Sequence, residues 1–231
     1  MRLLIIIPAY NEAENIIRVI DELKSKYPQY DYIVVNDGSS DETPQICRGK
    51  EYNLIDLPIN LGLSGAFQTG MKYAFRNNYD CALQLDGDGQ HDPKYIQMMM
   101  DKMENENVDI VIGSRYVDEK KKLSFRNMGN SLISSFIGLT THKRIKDTTS
   151  GMRLYGKRII KFYAHYANYN PEPDTIAYLI RCGAKVEEIQ VDMRDRIAGE
   201  SYFHITSVIK YMTNVCSSIL FMQWFRRKEV L

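Results

Sequence analysis

The sequence has no CxxC pair among its four cysteines, Cys47, Cys81, Cys182 and Cys216, and no metal-ligand spacing among His91, His142, His165 and His204. This excludes a disulfide framework and a zinc site, and predicts reduced thiols in a cytosolic protein. It lacks an excess of either charge: the formal net charge is +1, so no basic surface marks it as a nucleic-acid binder. The N-terminal apolar run Leu3 to Ile7 is too short for a signal peptide, and Pro8 ends it. There is no internal repeat and no low-complexity linker. What is present is a 231-residue chain, 44% hydrophobic, sufficient for one large domain or two small ones.

Strand-length apolar runs alternate with helical periodicity. Leu3 to Ile7 and Tyr32 to Val35 are continuous apolar stretches, as in strands buried on both faces of a parallel sheet. Asn53 to Leu57, Cys81 to Leu85 and Asp109 to Ile112 continue the series. Between them a helix with Ile16, Ile17, Ile20 and Leu23 on one stripe is expected, then one from Glu42 capped by Asp41. A third helix carries a small face of Ala66, Gly70 and Ala74, and a fourth runs from Pro93 to Met103 with Met98, Met99 and Met100. This order predicts an α/β sandwich around a mostly parallel sheet. Ligands of such sheets sit beyond the carboxyl ends of the strands. The polar turns PAYNE (8–12), NDGSSD (36–41) and DGDGQH (86–91) all fall there and should converge on one crevice.

The last turn carries the most chemistry. Asp86 and Asp88 alternate on one side of a strand end, and Gly87 and Gly89 allow the backbone to bend or approach a ligand. Two hard oxygen ligands suit Mg2+ or Mn2+ already carrying a diphosphate. A solvated strand-to-helix turn, with Asp92-Pro93 starting a helix, accounts for the same residues. NDGSSD is likewise open to the plainer reading of a β-turn plus helix cap.

PAYNE, DGSSD (37–41), NLG (60–62) and DGDGQH together resemble the inverting family 2 glycosyltransferases, of GT-A fold. GSR (113–115), DTTSGMR (147–153) and RIAGESY (196–202) are similar to the polyprenyl-phosphate branch, the dolichyl-phosphate mannose synthase-like enzymes. The resemblance spans roughly residues 2–202, with the motifs in order. It implies that Pro8, Tyr10 and Glu12 line the base and ribose pocket and that Asp37 accepts a hydrogen bond from the base. Asn36 stands where many relatives have a second aspartate. The resemblance puts Asp86 near ribose and metal, Asp88 on the metal and Gln90 on metal or phosphate. His91 is either behind these groups or a surface turn histidine. Asp147 takes the position of the base or acceptor-orienting carboxylate, although an ionised phosphate acceptor needs only a modest base. Arg126, Arg153 and Arg196 fall where relatives gather arginines for the acceptor phosphate, a task suited to the planar guanidinium. Ser201 adds a hydrogen bond, and Tyr202 replaces a lysine common in that branch. Glu172 and Asp174 shape the sugar pocket or simply a stiff Pro-containing loop. Arg115 to Phe125 is expected to be an acceptor loop or a solvated connection.

Residues 1–203 would then form the catalytic domain and 204–231 a C-terminal amphipathic helix, with Val208, Met212, Val215, Ile219 and Met222 as its stripe. Lys210 and Asn214 argue against a membrane span. The helix is expected to lie on the membrane surface with Arg226-Arg227-Lys228 on anionic lipid; packing on its own domain or in a homo-oligomer interface is the alternative. A small membrane-protein partner is another possible anchor. The expectation is a metal-dependent inverting transferase at the cytoplasmic membrane face. It would move one sugar from a nucleotide diphosphate sugar, UDP ahead of GDP-mannose, to a polyprenyl phosphate. A saccharide or protein acceptor, or non-catalytic nucleotide-sugar binding beside another glycosyltransferase, are the competing expectations.

Overall fold

The computed structural model describes residues 1–87, 89–118, 125–166, 169–194, 205–222 and 225–226, without the side chains at 125–126, 205–209 and 222. The apolar runs become strands: β1 (Leu3–Ala9), β2 (Asp31–Asn36), β3 (Leu54–Asp56), β4 (Cys81–Gln84) and β5 (Ile110–Ser114). Two more, β6 (Arg153–Gly156) and β7 (Val186–Gln190), complete a seven-stranded sheet of order β3-β2-β1-β4-β6-β5-β7. The sheet is mostly parallel; only β6 runs antiparallel, to both β4 and β5.

Because successive side chains on a strand point to opposite faces, β1 feeds two cores. Leu3, Ile5 and Ile7 pack with α1 (Ile16–Lys26), α2 (Thr43–Gly49) and α4 (Ile96–Glu106), the last entered through a 3-10 turn at Pro93–Tyr95. Leu4 and Ile6 face α3 (Gly62–Arg76), α5 (Phe125–Thr141), α6 (Lys157–His165) and α7 (Pro173–Arg181). α3 lies close to the sheet because its stripe is small: a Cβ on Gly70 would come within 2.4 Å of Ile6 Cγ2. α2 begins one residue later than expected, with Glu42 at the N-cap; Asp41, the residue before, accepts from the Thr43 amide at 3.0 Å.

Four expectations need adjusting. Val19, not Ile17, completes the buried stripe of α1, and Ile17 faces solvent. Met98 is also exposed, while Met99, Met100 and Met103 are buried. β6 and β7 lie beyond the five strands expected, and only Arg153 of β6 falls in a motif, DTTSGMR. The C-terminal helix, α8 (Ile205–Ser217) with a π-helical continuation at Ser218–Met222, buries Val215 and Ile219 against its own domain. Met212 seats against Gly129 of α5. The described part of the stripe expected on lipid is therefore spent on internal packing.

Candidate active site

The parallel register brings the ends of β1, β2 and β4 together, with Ala9 opposite Asn36 and Ile6 opposite Gln84. The polar turns then bond to one another. Asn11, at φ 56°, accepts from the Ser40 amide at 2.9 Å through Oδ1 and donates its own amide to Ser39 Oγ at 2.9 Å. The Ala13 amide donates to Asp41 Oδ2 at 3.1 Å. Burial pushes the Asp41 carboxyl up, but hydrogen bonds from Thr43 and Ala13 outweigh it and hold the group below its usual value. Asp37 is buried; its amide donates to Ala9 O at 2.8 Å and its Oδ1 accepts from the Leu61 amide at 2.7 Å. The NLG segment is thereby tied to the second turn. Asn36, buried beneath, donates to Asp56 and accepts from Ser39. Around this pocket Pro8 and Glu12 are half-buried and Tyr10 is 50% exposed.

Asp86 follows the end of β4, and its side chain is 38% exposed. Gln84 donates to it at 3.3 Å. His91 is buried, not a surface histidine: its Nδ1 accepts the Asp86 amide at 3.2 Å, and its Nε2 lies 3.6 Å from Asp86 Oδ2. The space beside this carboxylate is kept by missing side chains. A Cβ on Gly151 would stand 2.8 Å from Asp86 Oδ2, and one on Gly87 would meet Pro8 O at 3.3 Å. Gly89 has φ +76°, which other residues rarely adopt. Gln90 is half-buried in the same turn. Asp88 lies outside the described residues, among which no three His, Cys, Asp or Glu side chains cluster for a metal. An open carboxylate in a cradle cleared of Cβ atoms fits an oxygen-preferring divalent cation that brings its own diphosphate ligands.

Asp147 has a different setting. Its side chain has no exposed surface, and both oxygens are engaged. Arg115 Nε donates to Oδ2 at 2.7 Å and Arg115 Nη2 to Oδ1 at 2.9 Å, with the Arg115 amide adding a third bond at 3.1 Å. Burial pushes the carboxyl up, but the paired guanidinium, the amide and Thr149 hold it below its usual value. The loop around it is fastened from several elements. Glu188 of β7 accepts the Lys146 and Asp147 amides at 2.7 and 2.8 Å. Asn130 of α5 accepts from Thr148, and Ser150 donates to Gly113 O. Both oxygens of this carboxylate, expected as the base or as an acceptor-orienting group, face Arg115.

Of the three expected arginines, only Arg153 has a described side chain. Arg153, on β6, is 3% exposed and donates to Pro171 O at 2.7 Å and Thr148 O at 2.9 Å. Its planar fork braces two loops rather than waiting open for phosphate. The Arg126 side chain, Arg196 and Ser201 lie outside the described residues, as do 119–124 of the expected acceptor loop. Glu172 and Asp174 border a cavity of about 300 Å³ with Asn170, Tyr211, Asn214 and Ser218. Tyr211 donates to Glu172 Oε2 and Ser218 to Asp174 Oδ2, each at 2.6 Å. Sequence reasoning missed the α8 contribution and the role of Arg115. The GSR motif marked Arg115 without giving its partner.

A model described as "Glycosyl transferase family 2" matches residues 4–166. The chain is 26% identical over 236 residues to an undecaprenyl-phosphate mannosyltransferase of Micrococcus luteus, covering 97% of this chain and 96% of that protein. It is 32% identical over 181 residues to a UDP-N-acetylglucosamine–dolichyl-phosphate N-acetylglucosaminyltransferase of Methanococcus voltae, covering 68% and 70%. Among solved structures, glucosyl-3-phosphoglycerate synthase of Mycobacterium tuberculosis in complex with Mn2+, UDP-glucose and phosphoglyceric acid superposes with a TM-score of 0.71. That match covers 98% of this chain and 81% of the other at 12% identity, a likeness of GT-A fold.

Proposed function

The chain belongs to glycosyl transferase family 2 and is a glycosyltransferase, and we propose that it moves one sugar from a nucleotide diphosphate sugar to a polyprenyl phosphate with inversion. The supporting relatives are sugar transferases named for polyprenyl phosphates. The observation that carries the reading is the contrast between the open Asp86 and the sealed Asp147. A phosphate acceptor is already ionised near neutral pH, so no open base is required. Its oxygen attacks the anomeric carbon, the bond from that carbon to the diphosphate oxygen breaks, and the nucleoside diphosphate leaves with the electron pair.

Asp37 and the 8–12 turn would hold the nucleoside; Asp86, with Asp88 and Gln90, would hold Mg2+ or Mn2+ on the diphosphate. The bound cation would supply charge neutralisation at the leaving group. The Asp147–Arg115 pair would fix the loop facing them, and Arg126, Arg196 and Ser201 would receive the acceptor phosphate. No helix among the described residues is long and apolar enough to cross a membrane. Membrane contact is instead assigned to α5, whose outer side exposes Met128, Leu132 and Leu139 and carries no Asp, Glu, Lys or Arg from 127 to 142. The enzyme would act peripherally at the cytoplasmic face.

The test is incubation with undecaprenyl phosphate, Mg2+ or Mn2+ and a panel of UDP- and GDP-sugars. A lipid-linked sugar from at least one donor is expected. No such product from a folded sample with any donor would reject the acceptor assignment.

A further inference from the structure

The turn from Asp86 to Asp92 is held by residues that no motif marks. Beyond β7 the chain doubles against it: Met193 forms an antiparallel bridge with His91, and the Arg194 amide donates to Gln90 O at 2.9 Å. Arg194 Nη1 donates to Glu22 Oε2 at 2.7 Å and Nη2 to Glu22 Oε1 at 3.0 Å, while Nη2 also lies 2.9 Å from Asp92 Oδ1. One fork thus joins α1 to the end of the turn. One helical turn before Glu22, α1 brings the Arg18 guanidinium against Gly89, where a Cβ would stand 2.5 Å from its Nη2. Arg194 holds Glu22 below its usual carboxylate value, and its own group is pushed up chiefly by that bond.

We propose that Arg194 is a positioning residue for the divalent-cation turn, locking Gln90 to Asp92 onto α1 through Glu22 so that the turn is set before the nucleotide arrives. This rests on the reading of that turn as the metal and diphosphate site. Arginine suits the task because its planar fork bonds one carboxylate twice and still reaches a second. Without it, Glu22 and Asp92 lose the cation between them, and their mutual repulsion favours displacement of the turn. Groups that orient metal ligands commonly change metal affinity by ten- to hundredfold when removed.

The test is Mn2+ titration by calorimetry with UDP, and in a parallel arm GDP, on the whole chain. Arg194→Ala is expected to weaken Mn2+ binding about tenfold in the arm the wild type prefers. Arg194→Lys, keeping charge without the fork, should fall between the two. In turnover assays the Mn2+ needed for half-maximal rate should rise, with kcat at saturating Mn2+ within about twofold. Wild-type affinity in Arg194→Ala would overturn the proposal; if that variant does not fold, wild-type affinity in Arg194→Lys would do the same. Absence of Mn2+ binding by the wild type in both arms would instead overturn the metal reading itself.

Discussion

Two aspartates at the carboxyl edge of one sheet have opposite surroundings. Asp86 is more than one-third exposed, lightly held by Gln84 and His91, and faces space kept clear by glycines. Asp147 is sealed, its oxygens divided between the guanidinium and amide of Arg115, with Asn130 and Thr149 close by. The same side chain is left partly open in one region and fully enclosed in the other. Around Asp86 the turns after β1 and β2 brace one another through amides and hydroxyls, with Asp37 buried among them. The other half holds its charged groups inside: Arg153 donates to carbonyls, and Asp147 pairs with Arg115. Role follows from exposure and partner, not from residue type.

The strongest attack on this contrast is at the open site. Asp86→Asn should lower metal-dependent transfer by roughly a hundredfold or more, beyond the loss usual for groups behind a ligand, while the melting temperature stays within about 2 °C. A retained rate in a folded variant would remove Asp86 from the site. Asp147→Asn should act on stability instead, because it leaves Arg115 largely buried without its counter-charge. About 3 kcal/mol is expected from denaturant unfolding.

The same pair sets an acid limit. The folded Asp147 carboxyl lies below its usual value, so the folded state binds fewer protons there than the unfolded chain. Its stabilisation is complete above the ordinary carboxylate value of about 4 and is lost as pH falls toward the folded value. Melting curves across that range should show part of the acid loss disappearing in Asp147→Asn. Equal acid sensitivity in both proteins would contradict the assignment.

Much of the donor half was legible in sequence. β1 and β2 carry the apolar runs Leu3–Ile7 and Tyr32–Val35, β4 carries Cys81 to Leu83 before Gln84, and parallel order alone predicts that the turns after them meet. The other half was less legible because its elements depend on distant partners. Arg115 and Asp147 are 32 residues apart, and Arg194 and Glu22 are 172 apart. β6 is only four residues long and gains its strand character from β4 and β5 on either side. The α8 stripe was visible, but periodicity reports that a face is apolar, not whether lipid or protein covers it.

Smaller effects sharpen the contrast away from Asp86. Tyr211→Phe removes the 2.6 Å bond to Glu172 and should destabilise by about 1.5 kcal/mol in thermal or urea unfolding. Serine at Met128, Leu132 and Leu139 should reduce binding to anionic vesicles severalfold with little change in melting temperature, since these side chains are already exposed. Undiminished vesicle binding would move membrane contact to another face.

The most direct measurement compares Asp86→Asn and Asp147→Asn in one transfer assay, at saturating Mn2+ and corrected for folded fraction. The account predicts that Asp86→Asn loses turnover with its stability intact, and that Asp147→Asn loses stability but keeps kcat within about threefold when folded. An Asp147→Asn protein as stable as wild type, with turnover as low as that of Asp86→Asn, would make Asp147 the reacting carboxylate and contradict the account.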